Sequence, residues 1–317
     1  MIAICIEASH ARGLGHLYKA LNLAALLREK NHPFVILLNQ DQKAARILEK
    51  HDLDFHTVSL TDIHSNWEAE QIGRLGISLW LNDRLDTHIE HSRHVKDQGV
   101  RLVTVDDRGA GAELADLHFA PLLFCGADQL KGKRVLTGHQ YLILNREIER
   151  YQRVRRDIRS IVVSLGGSDT YGVTLKIVNI LKQAGQEATI VTGPSFCHGE
   201  ELGAMTAGSG FLIKSGVPSL IEEFSRHDLA VTGGGVTPFE ANAAGLPCVI
   251  VANEVHEIDI GRHLANLGSS RFAGYHDAID HAAFSLDLDL EGMSRAGLSR
   301  ITTQGAQNVY RELQTDG

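Results

Sequence analysis

Short runs of apolar residues alternate with amphipathic stretches along the whole chain. In the first half the apolar runs predict strands at 2–6, 34–38, 54–60, 76–81, 101–105 and 117–123, with helices predicted between them at 16–29, 41–51, 67–74 and 86–98. In the second half they predict strands at 160–167, 188–193, 210–214, 228–235 and 247–252. Because parallel strands need long crossover connections, this alternation predicts an α/β fold with parallel sheets.

A charged, helix-prone segment, residues 145–159, separates the two series and is predicted to be a linker. We therefore expect an N-terminal domain over 1–150 and a C-terminal domain over 151–317, each a doubly wound sheet. Ligands of such sheets bind beyond the carboxyl ends of the strands, so two sheets facing each other would form one cleft. The segment 294–314 is predicted to be helical, and it fits either packing against the first half or a dimer contact.

Composition and charge exclude several classes of protein. The chain has 43% hydrophobic and 22% charged residues, as ordinary globular proteins do, and its formal charge is −8. That charge argues against nucleic acid as a partner and against binding to an anionic lipid surface. The chain shows no charged leader and no apolar run of about 18 residues, so we expect no secretory or transmembrane segment and a cytoplasmic location.

Neither the cysteines nor a run of histidines indicates a metal site. The four cysteines are far apart and lack CxxC spacing, so we expect them to be reduced core residues: Cys5, Cys125, Cys197 and Cys248. The histidines at 88, 91 and 94 lie at steps of three, close to one helical face. No HExxH spacing or nearby acid pair accompanies them, so we predict polar surface and no metal.

The first candidate for chemistry is the stretch ARGLGHLYKALNLAALL, residues 11–27, directly after the first strand. Gly13 and Gly15 allow a tight turn and a close approach of ligand to the backbone. His16 falls in the first helical turn, where an imidazole can act as acid, base or hydrogen-bond partner toward a phosphate or a sugar. The alternative is a histidine that caps the helix or fills a gap.

The second candidate is SLGGSDTYG, residues 164–172, which again follows a strand. Gly166, Gly167 and Ser168 can present backbone amides and a hydroxyl to an anion. Asp169 would repel phosphate if it pointed inward, and it fits equally well as a helix cap.

The third candidate is TGGGVTPFEANAAGLP, residues 232–247. Three glycines end a strand, Pro238 fits the first turn of a helix, and Glu240 falls on that turn. A carboxylate there can accept hydrogen bonds from two ribose hydroxyls while the loop amides hold phosphates. The alternative is a glutamate that stabilises the helix N-terminus by its charge, by about 0.3–1 kcal/mol.

Acidic residues also follow strands of the first half, at Asp83, Asp86, Asp106 and Asp107. Any of them could be the general base that activates an acceptor hydroxyl or a water. Helix capping and loop solvation explain each of them equally well.

Three segments, GLGHLYKALNLAALL, VVSLGGSDTYGVTLKIV and DLAVTGGGVTPFEANAAGLPCVIV, resemble in this order the nucleotide-sugar enzymes of the GT-B fold. The most similar group contains the spore coat polysaccharide biosynthesis glycosyltransferase-like proteins and the pseudaminic-acid-pathway UDP-sugar hydrolase, and the lipid II-forming N-acetylglucosaminyltransferase is more distant. LNDRLDT, VDDRGAGAELAD and TGHQYLILNREI extend the likeness over nearly the whole chain. The resemblance implies two Rossmann-like domains facing across a cleft.

The resemblance also implies roles for individual residues. His16 matches the active-site histidine, and Gly13 and Gly15 match the loop beside it. The loop that faces the diphosphate is matched by Gly166, Gly167 and Ser168. The nucleotide-binding signature, in which the acid holds the ribose, is matched by Gly234, Gly235, Val236, Thr237 and Glu240.

Two departures weaken the hydrolase assignment. The hydrolases have a tyrosine two residues after the aspartate of the fourth strand, where this chain has Leu85 after Asp83. They also have an Asn-Gln pair after the last strand of the nucleotide domain, where His256 and Glu257 align. These two residues are polar and suited to binding the sugar.

The sequence thus predicts a glycosyltransferase that moves a sugar from a nucleotide diphosphate, with UDP expected, to a glycan or small-molecule acceptor. We expect His16, Asp83 and Asp107 to be the catalytic candidates, with no metal and no cofactor, because loop amides can stabilise the departing diphosphate. The alternatives are a UDP-sugar hydrolase, a non-catalytic sugar-nucleotide-binding subunit and an epimerase.

Overall fold

The computed structural model describes residues 1–8, 15–122, 130–167 and 169–315. Its strands are β1 Ile2–Ile6, β2 Phe34–Leu38, β3 Phe55–Thr57, β4 Leu79–Asp83, β5 Arg101–Val105, β6 Leu117–Ala120, β7 Val135–Thr137, β8 Ile161–Ser164, β9 Thr189–Thr192, β10 Leu212–Ser215, β11 Leu229–Thr232, β12 Cys248–Ala252, β13 Ser270–Tyr275 and β14 Ala278–Ile279. Its α-helices are α1 Gly15–Glu29, α2 Gln42–Lys50, α3 Trp67–Leu75, α4 Ile89–Asp97, α5 Val173–Gln183, α6 Gly199–Thr206, α7 Leu220–Ser225, α8 Thr237–Ala243, α9 Glu257–Asn266, α10 Leu290–Arg300 and α11 Gly305–Gln314.

The chain divides into two compact units. Unit 1 contains the residues up to Leu144 together with the C-terminal segment from Gln304, and unit 2 contains Asn145–Thr303. The sheet of unit 1 has the order β3-β2-β1-β4-β5-β6-β7, and the sheet of unit 2 has the order β10-β9-β8-β11-β12-β13-β14. All neighbouring strands are parallel except β13 and β14. The predicted α/β class with two doubly wound sheets is confirmed.

Unit 1 buries both faces of its sheet, which explains why its strands are continuous apolar runs. Along β1, Ile4 faces the side covered by α1 and α11, where it joins Leu27 and Val309 in one core. Cys5 faces the opposite side and joins Trp80 in a second core. Helix α11 therefore contributes to the core of unit 1, although it lies at the end of the chain.

Unit 2 repeats this plan with its own core. Val163 of β8 and Val231 of β11 lie on the same face and pack with Ile177 of α5. The candidate loops follow β8, β11 and β12, and all residues of these three strands are buried. Within the described parts of the chain, every helix is too short or too polar to cross a membrane.

The helix expected from the helix-prone residues 145–159 does not form as an α-helix. The segment forms a short 3₁₀ helix at Arg146–Tyr151 and then runs without helix to β8. Arg155 in this part is completely buried, and its guanidinium donates to the carbonyls of Phe224, His227 and Ala244. Satisfying carbonyl groups at the ends of α7 and α8 outweighs the helical preference of the charged side chains.

Two smaller predictions also need correction. Cys5 and Cys248 are buried as expected, but Cys197 is exposed, and Cys125 lies outside the described residues. Strand β4 continues to Asp83, two residues beyond its apolar run, because the parallel register with β1 and β5 extends that far.

Candidate functional site

In unit 1 the chemistry-bearing residues lie where α1 begins. Gly15 is the first residue of α1, and no described atom lies within 4 Å of where its Cβ would stand. His16 follows with 15% of its side chain exposed. Its Nδ1 lies 2.7 Å from Oδ1 of Asp83, at the end of β4. Gly13 lies outside the described residues.

Two further residues complete a charged network around Asp83. The Nζ of Lys19, one turn after His16, donates to the same Oδ1 at 2.8 Å and to Oδ2 of Asp106 at 3.3 Å. Burial raises the pKa of Asp83, but the charge of Lys19 and the hydrogen bonds from His16 and Lys19 outweigh it and lower the pKa below its usual value. Burial lowers the pKa of Lys19, and the two carboxylates raise it above its usual value. The aspartate therefore stays ionised and the lysine stays charged.

This network fixes the orientation of the imidazole. An ionised Asp83 can only accept, so the neutral form of His16 carries its proton on Nδ1 and has a basic Nε2. No described residue bonds to that Nε2. A carboxylate that orients a histidine in this way also stabilises the imidazolium formed when the ring takes a proton, and the arrangement suits general-base catalysis.

Asp107 does not lie in this network. Its side chain is buried, and its Oδ1 accepts from the amides of Thr87 at 3.0 Å and Gly109 at 2.9 Å. Burial raises the pKa of its carboxyl. Asp107 thus joins the loop after β5 to the loop after β4, and Asp106 takes the place beside Lys19.

The histidines of α4 differ from the prediction of polar surface. His88 caps the helix, as its Nδ1 accepts from the amide of Glu90. His91 is buried and bonds to Glu68 and to the carbonyl of Leu60, and His94 bonds to the other oxygen of Glu68 at 2.9 Å. The step of three thus places His91 and His94 on one buried carboxylate.

In unit 2 the loop after β8 offers main-chain amides. Gly166 has φ of +97°, which favours glycine, and no described atom lies within 4 Å of a Cβ at Gly166 or Gly167. The amides of these two glycines bond to no described residue. Asp169 caps α5, because its two oxygens accept from Val173 and Thr174 at 2.8 Å each. Ser168 lies outside the described residues.

The glycine loop after β11 is packed against the start of α9. A Cβ on Gly234 would stand 2.6 Å from the Cβ of Glu257, so this position requires glycine. Glu257 Oε2 accepts from the amide of Gly234 at 3.1 Å and from the amide of Asn253 at 2.7 Å. Glu257 therefore joins the two loops, and Asn253 belongs to the same arrangement.

Glu240 stands out by lacking any partner among the described residues. It lies in the first turn of α8, half-buried, and burial raises the pKa of its carboxyl to about 7. The amides of Gly235, Val236 and Thr237 precede it and bond to no described acceptor. A desolvated carboxylate beside free amides can accept hydroxyl hydrogens while the amides bind an anion.

His256 lies after β12, where α9 begins. It is exposed at the N-cap position of α9, directly before Glu257, and its side chain bonds to no described residue.

The structure thus places the predicted residues in two groups, one in each unit. In unit 1 it joins His16 to Asp83, and in unit 2 it gathers the loops of Gly166, Gly234 and Glu240 at the carboxyl ends of β8 and β11. Sequence reasoning missed Lys19 and Asn253. The signal for Lys19 was its position three residues after His16, which puts both side chains on one face of α1.

Comparison with known proteins identifies similar sequences at low identity. No protein-family model matches the chain. The uncharacterized protein MJ1062 of Methanocaldococcus jannaschii is 23% identical over 79% of this chain, and the match spans 55% of MJ1062. The spore coat polysaccharide biosynthesis protein SpsG of Bacillus subtilis is 21% identical over 88% of this chain and 85% of SpsG. The resemblance to the spore coat group is confirmed.

Solved structures share the fold over the whole chain. MurG of Acinetobacter baumannii has a TM-score of 0.71 with 15% identity and covers 99% of both chains. Spinosyn rhamnosyltransferase SpnG complexed with thymidine diphosphate has a TM-score of 0.61 with 16% identity, and the match covers 99% of this chain and 100% of SpnG. UDP-GlcNAc 2-epimerase of Neisseria meningitidis bound to UDP-GlcNAc has a TM-score of 0.64 with 10% identity, and the match covers 100% of both chains. At these identities the likeness shows the fold, which has two Rossmann-like domains.

Proposed function

We propose that this chain, which has the GT-B fold, is a glycosyltransferase that moves a sugar from a UDP-sugar or related nucleotide diphosphate to an acceptor hydroxyl. The similarity to SpsG supports a role in making a surface polysaccharide or glycan. The likeness to MurG and to a rhamnosyltransferase supports transfer, and the departures from the hydrolases at Leu85 and at His256 and Glu257 argue against hydrolysis.

Unit 2 would bind the donor. We assign the diphosphate to the amides of Gly166, Gly167 and Gly235, which bond to no described residue. The resemblance adds the hydroxyl of Ser168, which lies outside the described residues. Glu240 would accept hydrogen bonds from the ribose hydroxyls, which explains why its carboxylate has no partner within the described chain. Val236 and Thr237 extend the row of amides, and His256 is placed to bind the sugar.

Unit 1 would supply the base. The observation that carries the proposal is an imidazole whose Nδ1 is held at 2.7 Å by a buried, ionised Asp83, leaving Nε2 basic. In the transfer step the acceptor oxygen bonds to the anomeric carbon and its proton passes to Nε2 of His16. The bond to the diphosphate breaks, and its electron pair leaves with the nucleotide, whose charge the loop amides stabilise. Asp107 acts indirectly, by holding the loop that carries Asp106.

The test is turnover of UDP-, TDP-, GDP- and CMP-sugars with and without a panel of glycan acceptors. We expect release of nucleotide to depend on the acceptor, and His16→Ala to lower it by about 10²–10⁴-fold with unchanged affinity for the nucleotide. His51→Ala, an exposed histidine at the end of α2, is the matched control.

Two results would contradict the proposal. Rapid, stoichiometric release of free sugar without acceptor would show a hydrolase. Tight nucleotide binding with no turnover of any donor would show a non-catalytic binding subunit.

A further inference from the structure

The rim of unit 2 carries exposed apolar side chains to which the proposed donor site gives no role. Tyr171, in the loop between β8 and α5, is 43% exposed, and Val255, after β12, is 70% exposed. The hydroxyl of Tyr171 donates to Oε1 of Glu254 at 3.3 Å, which places Val255 on the same part of the rim. Both residues follow the carboxyl ends of parallel strands, where doubly wound sheets bind their ligands.

The ring of Tyr171 is held rigidly. It stacks on the ring of His276 with centroids 4.0 Å apart and planes at 10°, and Tyr275 packs against His276 at 4.3 Å. The backbone of His276 is fixed in turn, since its amide donates to the carbonyl of Ala252 and its carbonyl accepts from Lys176. Because His276 covers one face of the Tyr171 ring, the exposed area belongs to the other face and the edge.

The surroundings of this ring select the chemistry of a ligand. The face of an aromatic ring is electron-rich, and it attracts the weakly positive C–H bonds on one side of a pyranose. The carboxylate of Glu254, which accepts from the hydroxyl of Tyr171, lies beside the ring, where it can accept hydrogen bonds from sugar hydroxyls and repels anions. A nucleobase would also stack on this face, so the test measures UDP itself beside the UDP-sugars.

We propose that Tyr171, stacked on His276 and flanked by Glu254, is a binding platform for an uncharged pyranose ring. This platform deepens the proposed function and rests on it, because the sugar is taken to be part of the donor or of the acceptor. The negative charge of Glu254 disfavours a sugar that carries a carboxylate or a phosphate of its own.

The experiment compares wild type with Tyr171→Ala, Tyr171→Phe and, as a control, Leu212→Ala, an exposed apolar residue of edge strand β10. Calorimetry gives the affinities for UDP, UDP-glucose and UDP-N-acetylglucosamine. Saturation-transfer NMR measures binding of methyl β-glucoside and chitobiose. We expect Tyr171→Ala to weaken a sugar-bearing ligand about fivefold to tenfold while the affinity for UDP stays the same. Tyr171→Phe keeps the ring and should keep most of the affinity.

The arms of the experiment separate the sources of the sugar. A loss confined to the UDP-sugars assigns the platform to the donor, and a loss confined to the free glycosides assigns it to the acceptor. The proposal is overturned if Tyr171→Ala changes neither, if it weakens UDP as much as the UDP-sugars, or if wild type binds no sugar in either arm. A wild type that binds glycosides through Tyr171 but no nucleotide would refute the proposed function and leave the platform intact.

Discussion

Replacing Glu240 by glutamine should stabilise unit 2 at alkaline pH while it weakens binding of the nucleotide. Burial raises the pKa of this carboxyl from 4.5 to about 7, and no described residue compensates its charge. A raised pKa means that the folded state holds the proton more tightly than the unfolded chain. The favourable contribution is complete below pH 4.5 and is lost as the pH rises through 7.

The size of this effect follows from the two pKa values. One pKa unit corresponds to about 1.36 kcal/mol, so ionising Glu240 costs the folded state at most about 3 kcal/mol at pH 8. Between pH 5 and pH 8 the penalty grows by about 2.5 kcal/mol. Glutamine has nearly the same shape and no charge, so the stability of Glu240→Gln relative to wild type should rise by up to that amount over this range.

Thermal unfolding at pH 5 and pH 8 measures the difference. At about 2–4 °C per kcal/mol, Glu240→Gln should gain several degrees over wild type at pH 8 and much less at pH 5. Glu201→Gln, which removes an exposed carboxylate from α6, is the matched control and should show no such gain.

Calorimetry with UDP provides the second half of this prediction. If the ribose binds only the ionised carboxylate, wild-type affinity should increase about tenfold from pH 6 to pH 8, and the variant should bind weakly with no such dependence. Equal pH dependence of melting in wild type and variant would refute the reasoning about burial. A variant with wild-type affinity for UDP would refute the assignment of Glu240 to the ribose.

Substitutions at Lys19, Glu257 and Arg155 test three other sets of contacts. Lys19→Met removes the charge that lowers the pKa of Asp83. Turnover should therefore fall, and the acid limb of the pH–rate profile should move to higher pH. Lys19→Arg keeps the charge and should retain most of the activity. Glu257→Gln keeps an acceptor for the amide of Gly234 but removes a negative charge beside the proposed diphosphate site. Affinity for UDP, measured by calorimetry, should therefore rise about fivefold, which corresponds to ~1 kcal/mol of repulsion. Glu257→Ala should lower this affinity, because it releases the loop. Arg155→Met leaves buried carbonyls without donors and should destabilise unit 2 by about 3–5 kcal/mol in urea unfolding, whereas exposed Arg156→Met should have little effect.

The fold could be predicted from the sequence because both faces of each sheet are buried. Continuous apolar runs then mark the strands, and the helices between them follow from parallel pairing. What escaped prediction lacks such a run. Strands β7 and β14 have three and two residues, and they lie at sheet edges where few side chains are buried. Strand β13 lies inside its sheet, but its sequence SRFAGY mixes polar and apolar residues, and only two of its six residues are buried. The helix at 145–159 does not form because the buried side chain of Arg155 bonds to carbonyls of unit 2 and fixes the path of the backbone.

The candidate site of unit 1 shows where such reasoning ends. Leu79 and Leu81 of β4 pack in the core beneath α1, so the alternation of a strand brings Asp83 to the same face, opposite His16. The same alternation along β5, after Val103 and Val105, predicts Asp107 there. Strand β5 ends at Val105, and Asp106 adopts φ of +54°, which turns its own carboxylate toward Lys19 and directs Asp107 to Thr87. A single left-handed residue exchanges the roles of two neighbouring aspartates, and no periodicity in the sequence reveals it.

The candidate loops of unit 2 share a further property that limits where an anion can bind. The N-terminal amides of α5 already bond to the carboxylate of Asp169, and the amide of Gly234 already bonds to Glu257. An anion at either place would have to displace a carboxylate held within the fold, and like charges oppose that. Among the described residues of these loops, the amides of Gly166 and Gly167 and those that open α8 remain for a diphosphate. The protein's own carboxylates thus shape the loops and confine the incoming charge to the side on which Glu240 lies.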